Sequence, residues 1–178
     1  MTGEHDDLVR ALEDDLAALA AAVADLERDA EVAERTRIER SALRLGDRLR
    51  GSGGRVRLLL LGGADVSGAV TDDGDGWVVL ADGPDEHLVL LAAVVTAHGL
   101  GPADGAPSPL QRRPAASVLR RWCRDRSSAL LRTTDGGRYR GLLLAAFADH
   151  LDVREPHGAV VSVAIPPLAC ATRQASLA

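Results

Sequence analysis

Apolar residues in the first part of the chain recur at a helical spacing. Val9, Leu16, Val23 and Ala30 fall seven apart, and Leu12, Leu19, Leu26 and Ala33 take the complementary 3–4 positions. Four such heptads predict a coiled-coil helix over residues 4–34, with self-association through Val9, Leu12, Leu16, Leu19, Val23 and Leu26. At Arg35 the register slips by one residue. Ile38, Ala42, Leu45 and Leu49 now form the apolar line, flanked by Arg37, Arg40, Arg44 and Arg48. This predicts a stutter or a second helix. Gly51-Ser52-Gly53-Gly54 ends it.

Beyond Gly54 the period shortens to that of strands, and the chain repeats itself. Overlaying Arg55–Gly99 on Ser127–Arg173 places Gly63 on Gly136, Val66 on Tyr139, Gly68 on Gly141, Trp77 on His150 and Leu80 on Val153. Each copy reads as an apolar strand, a Gly turn, a second strand with an internal Gly, a third strand after an Asp-bearing turn, and two short strands. Such self-similarity predicts duplicated small domains. An internal Gly suits a strand that must bend sharply, where a side chain would obstruct. Residues 100–109 read as a linker. A second short helix follows, with Pro114 in its first turn and Val118, Leu119 and Trp122 facing inward. The predicted organisation is a heptad helix (4–34), a helix with the first barrel (35–99), the linker, a helix with the second barrel (110–173), and a polar tail (174–178).

A helix followed by five bent strands resembles the Sm-like fold. The first copy is similar to bacterial Hfq in strand order and turn placement. Gly62-Gly63 stands at its Asn-Gly turn, Gly68 in its bent second strand, Asp75 before strand three, and Val94–Ala97 in its last strand. The second copy carries Asp135-Gly136, Gly141 and Asp149 at those places, closer to the general Sm pattern. The resemblance implies an α+β fold: a coiled-coil helix followed by two Sm-like (SH3-like) five-stranded small β-barrels, each preceded by a short helix. It does not extend to the family's RNA site. The basic pair on the penultimate strand would fall near Leu91 and Ala92, and Asp152 and Val79 lie where an Asn would grip a base. The whole layout also resembles an actinobacterial family of coiled-coil-plus-two-barrel proteins, sometimes called Fis-type regulators, although no helix-turn-helix signal is present.

Composition narrows the chemistry. The chain has one Phe, one Tyr and two Trp, so its cores must be Leu, Val and Ala. Every basic residue is Arg, which removes a P-loop lysine, a Schiff base and a Ser–Lys pair. The net charge of −5 is segregated: residues 1–34 carry −9, 35–57 carry +6, 58–111 carry −8 and 112–140 carry +7. The basic segments predict a polyanion-binding surface made of Arg37, Arg40, Arg44, Arg48, Arg55, Arg57, Arg120, Arg121, Arg124, Arg138 and Arg140. The alternative is mutual neutralisation of acidic and basic segments. Cys123 and Cys170 belong to no metal or disulfide pattern. No signal peptide or bilayer-spanning run is read, which predicts a cytoplasmic protein that does not engage membranes.

No catalytic constellation assembles. Asp72-Asp73-Gly74-Asp75-Gly76 lacks the spacing of a calcium loop and reads as a hairpin turn. Ser67 fails the nucleophile-elbow spacing, and the His residues make no ligand pairs. The expectation is a protein without enzymatic activity, metal or cofactor: a homodimeric scaffold or regulator with a protein partner. The alternative is a sequence-independent binder of RNA or DNA. Trp77 and Tyr139 would be its only base-stacking platforms.

Overall fold

The computed structural model describes residues 27–28, 31, 34–35, 37, 41, 43–102 and 113–174. The chain divides into two units, Met1–Leu43 and Arg44–Ala178. In the first, the described residues from Glu27 to Ser41 are helical. Arg35 pairs there with Glu31 and Arg37 with Glu34. The heptad positions Val9, Leu12, Leu16, Leu19, Val23 and Leu26 lie outside the described residues.

The second unit begins with helix α1 (Leu45–Arg50), then β1 (Arg55–Leu60), β2 (Asp65–Gly74), β3 (Trp77–Asp82), β4 (Asp85–Leu90) and β5 (Val94–His98). Helix α2 (Ala116–Arg124) leads into β6 (Ser128–Thr133), β7 (Arg138–Ala146), β8 (His150–Arg154), β9 (Val160–Ala164) and β10 (Leu168–Gln174). All ten strands join one antiparallel sheet in the order β5-β1-β2-β3-β4-β10-β6-β7-β8-β9. Each copy of the repeat contributes five neighbouring strands, with its last strand folded back beside its first. The copies meet where β4 of the first pairs with β10 of the second, Val89 opposite Cys170 and Leu88 opposite Ala171.

This arrangement corrects the expectation of a coiled-coil helix followed by two closed Sm-like barrels. The sheet is single and open, and the α-helices delimited among the described residues are α1 and α2. The physical reason lies in the central strands. Trp77, Val78, Val79 and Leu80 are all buried, as are Leu88, Val89 and Ala169–Ala171. A strand that is apolar on both faces must be covered on both. One face of β3, β4 and β10 presents Val78, Leu80, Val89 and Cys170 to a core with Leu49 of α1, Val56, Leu58 and Val66. The other presents Trp77, Val79, Leu88 and Ala171 to a core with Leu119 and Trp122 of α2, Leu131, Leu143, Leu151 and Val153. Closing either lobe on itself would strip one of these faces.

The repeat glycines sit where strands press together. Gly68 lies opposite Val56 and Gly141 opposite Ala129, equivalent positions in the two lobes. A Cβ on Gly68 would stand 2.5 Å from the Ala81 carbonyl oxygen, and one on Gly141 only 2.1 Å from that of Arg154.

Candidate binding face

Five of the eleven arginines singled out by charge are spent within the molecule. Arg55 reaches Asp82 at 2.6 Å and Ser67 at 2.9 Å, and Arg57 is held by both oxygens of Asp65. The Arg57 hydrogen bond lowers the Asp65 pKa and raises that of Arg57. These two arginines line an open pocket of about 300 Å³ with Val56, Ser67, His98 and Gly99. Its cations are already matched by carboxylates, so it offers an anion little. Arg121 pairs with Asp72 at 3.6 Å, and Arg48 donates to the Gly101 carbonyl at 3.5 Å. Arg44 is exposed at the start of α1, and Arg37 belongs to the other unit. Arg40 lies outside the described residues. Among the described members in the second unit, Arg55 and Arg57 lie on β1, Arg138 and Arg140 on β7, and Arg120, Arg121 and Arg124 on α2.

The acids of the turn after β2 are engaged in the same way. Asp72 takes Arg113 and Arg121, and Asp73 takes Arg50 at 3.1 Å. Trp77 is no stacking platform: it is wholly buried and its indole N–H donates to the Arg113 carbonyl at 2.7 Å. The Arg113 guanidinium lies 5.5 Å from its ring. Tyr139 packs half-buried against the second core.

One group of cations is left without acids. On β6 and β7 the odd-numbered residues Ala129, Leu131, Gly141 and Leu143 face the core, so Arg132, Arg138 and Arg140 share the outer face. Arg132 stands directly opposite Arg138 in the ladder. Arg154 of β8 stands opposite Leu142, one position along that face from Arg140. No ion pair to any of the four occurs among the described residues. The Arg132 Nε is buried without a hydrogen-bond partner. Like charges directly opposite each other destabilise a sheet, and an unpaired buried donor adds a desolvation cost. The arrangement holds a concentration of positive charge that the fold itself does not use. Exposed Arg120 and Arg124 lie on α2, which packs against the opposite, core-facing side of β6 and β7.

Charge counting missed Arg132 and Arg154. The signal for Arg132 was available: Thr133 to Gly137 forms a hairpin turn, with Asp135 accepting from the Thr133 hydroxyl and the Gly137 N–H, and the residues flanking it are cross-strand partners. Those bonds also lower the Asp135 pKa, the Thr133 hydroxyl contributing most. Along the same face toward β4, Thr172 lies opposite Leu130 and His87 opposite Thr172. The His87 Nδ1 is 3.0 Å from the Thr172 hydroxyl, and burial pushes its pKa down. Burial raises both cysteine thiols, Cys123 and Cys170. Among the described residues no helix is long and apolar enough to cross a membrane. No family model matches the chain, and no curated protein matches it significantly in sequence.

Proposed function

We propose that the protein is a non-catalytic scaffold or regulatory protein whose working surface is the arginine face of the second lobe, and whose partner is an acidic segment of another protein. The observation that carries this reading is the in-register pair Arg132–Arg138, flanked by Arg140 and Arg154 and matched by no carboxylate among the described residues. An acidic strand or loop laid across that face would relieve the cross-strand repulsion. Guanidinium groups suit this role because they bind carboxylates through two parallel N–H donors.

A second reading, sequence-independent nucleic-acid binding, draws on the same four arginines. Three features make it the lesser one. Arg55, Arg57 and Arg121 are neutralised internally. Trp77 is buried, which takes away an aromatic platform for bases. Four phosphate contacts give a salt slope of only about −3.6, below the six to ten contacts of tight DNA binders.

The test is binding of a fluorescent poly-glutamate peptide and of a DNA duplex to the full chain, before and after the double change Arg138→Ala/Arg140→Ala. The acidic-partner reading expects peptide binding that the double change abolishes, and a 260/280 absorbance ratio of the purified protein free of nucleic acid. Tighter binding of duplex than of peptide, falling about 150-fold between 50 and 200 mM salt, would hand the surface to nucleic acid. Peptide binding untouched by the double change would refute both.

A further inference from the structure

Among the described residues, the two outermost strands of the sheet, β5 and β9, pair on one side only: β5 with β1 and β9 with β8. Proteins ordinarily guard such edges with charges, proline or bulges, because unpaired backbone groups template the addition of another strand. β9 is not guarded by its own residues, and β5 has only a bulge at Val95, where its pairing with β1 steps from Leu59–Thr96 to Leu60–Val94. β5 reads VVTAH and β9 reads VVSVA, without Lys, Arg, Asp, Glu or Pro. Val95 and Val160 are each more than half exposed.

The repeat identifies what fits these edges. β9 holds the place in the second lobe that β4 holds in the first, and β5 the place that β10 holds in the second. β4 and β10 are the strands that pair at the seam inside the chain. We propose that β9 of one molecule pairs antiparallel with β5 of the next, repeating between copies the seam that already joins the lobes.

The register follows from the ladders. Leu90 opposes Trp77 as Ala164 opposes His150, so Val89 corresponds to Val163 and Leu88 to Ser162. Ala97 opposes Leu58 as Ala171 opposes Leu131, so Ala97 corresponds to Ala171. The internal partners Leu88 and Ala171 therefore translate into Ser162 opposite Ala97, with Val161 opposite His98. The backbone is set for this pairing. The Ile165 N–H donates to Asp149 and the Glu155 N–H to Ala159, which makes the odd-numbered residues of β9 the ones bonded to β8 and leaves Ser162 directed outward. On β1, the Leu60 N–H donates to Ala64, so Arg57 and Leu59 bond to β5 through His98 and Thr96, and Ala97 is directed outward. Both outward groups are thus the equivalents of groups already bonded to each other at the seam.

This contact is heterologous: each added copy leaves one β5 and one β9 free, so assembly continues past a dimer until a ring closes or a filament grows. It rests on the sheet edges and is independent of the arginine face. The test uses full-length protein and molar mass from sedimentation or light scattering. Ser162→Pro removes the outward N–H of β9, and Ala97→Pro that of β5, each without deleting a backbone bond to its neighbour inside the sheet; Ser162→Pro also loses the Ser162 hydroxyl bond to Asp152 of β8. Thermal melts establish that each variant is folded, and Val160→Arg, which places a charge on an exposed position of β9, gives a second and milder block. Wild-type protein should run heavier than a dimer of the 18.7 kDa chain, and every variant alone should be lighter than wild type. An equimolar mixture of Ser162→Pro and Ala97→Pro should be heavier than either, because one supplies a working β5 and the other a working β9. A wild-type mass no greater than the variants', a mixture no heavier than its components, or an Ala97→Pro protein that assembles like wild type would overturn the proposal.

Discussion

Replacing Gly141 with alanine probes the most crowded point in the sheet. A Cβ there stands 2.1 Å from the Arg154 carbonyl oxygen, 2.7 Å from its carbon and 2.9 Å from a Val153 methyl. The first two are backbone atoms of β8, so no side-chain rotation relieves the clash, and the strands must separate by close to an ångström. Overpacking of this kind costs about 1–3 kcal/mol, and a backbone clash belongs at the upper end. Alanine also restricts the unfolded chain, returning about 0.4–1 kcal/mol. The net expectation is a loss of about 2 kcal/mol, or about 6 °C in melting temperature for a unit of this size. Gly68→Ala, with its nearest backbone atom at 2.5 Å, should lose about 1 kcal/mol. A Cβ on Gly54 would meet nothing within 4 Å, and the backbone there is not left-handed, so Gly54→Ala should be neutral or slightly stabilising. Thermal and urea unfolding of the three variants gives the ranking. A Gly141→Ala protein that melts with wild type, or a Gly54→Ala protein that falls as far, would refute the close-approach reasoning.

The two tryptophans should respond differently to removal of the indole N–H. Trp77→Phe loses the bond to Arg113, whereas the Trp122 Nε1 is buried without a partner, so Trp77→Phe should cost about 2 kcal/mol and Trp122→Phe less than about 1 in urea unfolding. Arg173 lies 5.0 Å over the Trp122 ring and bridges Glu86 and Asp125 at 2.8 and 2.9 Å. Lysine cannot reproduce that fork and stacking, and Arg173→Lys should lower stability by about 1–2 kcal/mol. His87 titrates below its ordinary value in the folded chain because burial disfavours its charged form. The unfolded chain therefore binds the proton first, so this stability is complete above about pH 6.5 and declines as the pH falls toward the folded pKa. Urea unfolding at pH 7.5 and 5.5 should show that decline, and His87→Gln should reduce it.

What could be read from the sequence was local. The change of period at Gly51–Gly54 and the matched glycines at 68 and 141 depend on neighbours close along the chain, and these marked a repeat of bent strands. The seam was not legible. The run Trp77–Leu80 announces burial on both faces, but nothing in it says that the second face is covered by α2 and the strands of the other copy. Val89 and Cys170 meet across a long stretch of chain that includes a linker and a helix, and no local pattern records the meeting. The same limit applied to charge. Counting arginines treats Arg57 and Arg138 alike, yet Arg57 has Asp65 beside it and Arg138 has Arg132. Strand register decides which arginine is spent, and register becomes readable only at a tight hairpin such as Thr133–Gly137.

The most direct test of the binding face is a hydrogen-exchange footprint of the full chain with and without poly-glutamate. Added protection should appear over residues 130–142 and 150–155, around Arg132, Arg138, Arg140 and Arg154, while the paired arginines at 55 and 57 stay unchanged. Protection centred on Arg55 and Arg57, or no change on β6–β8, would contradict the assignment of the arginine face as the working surface.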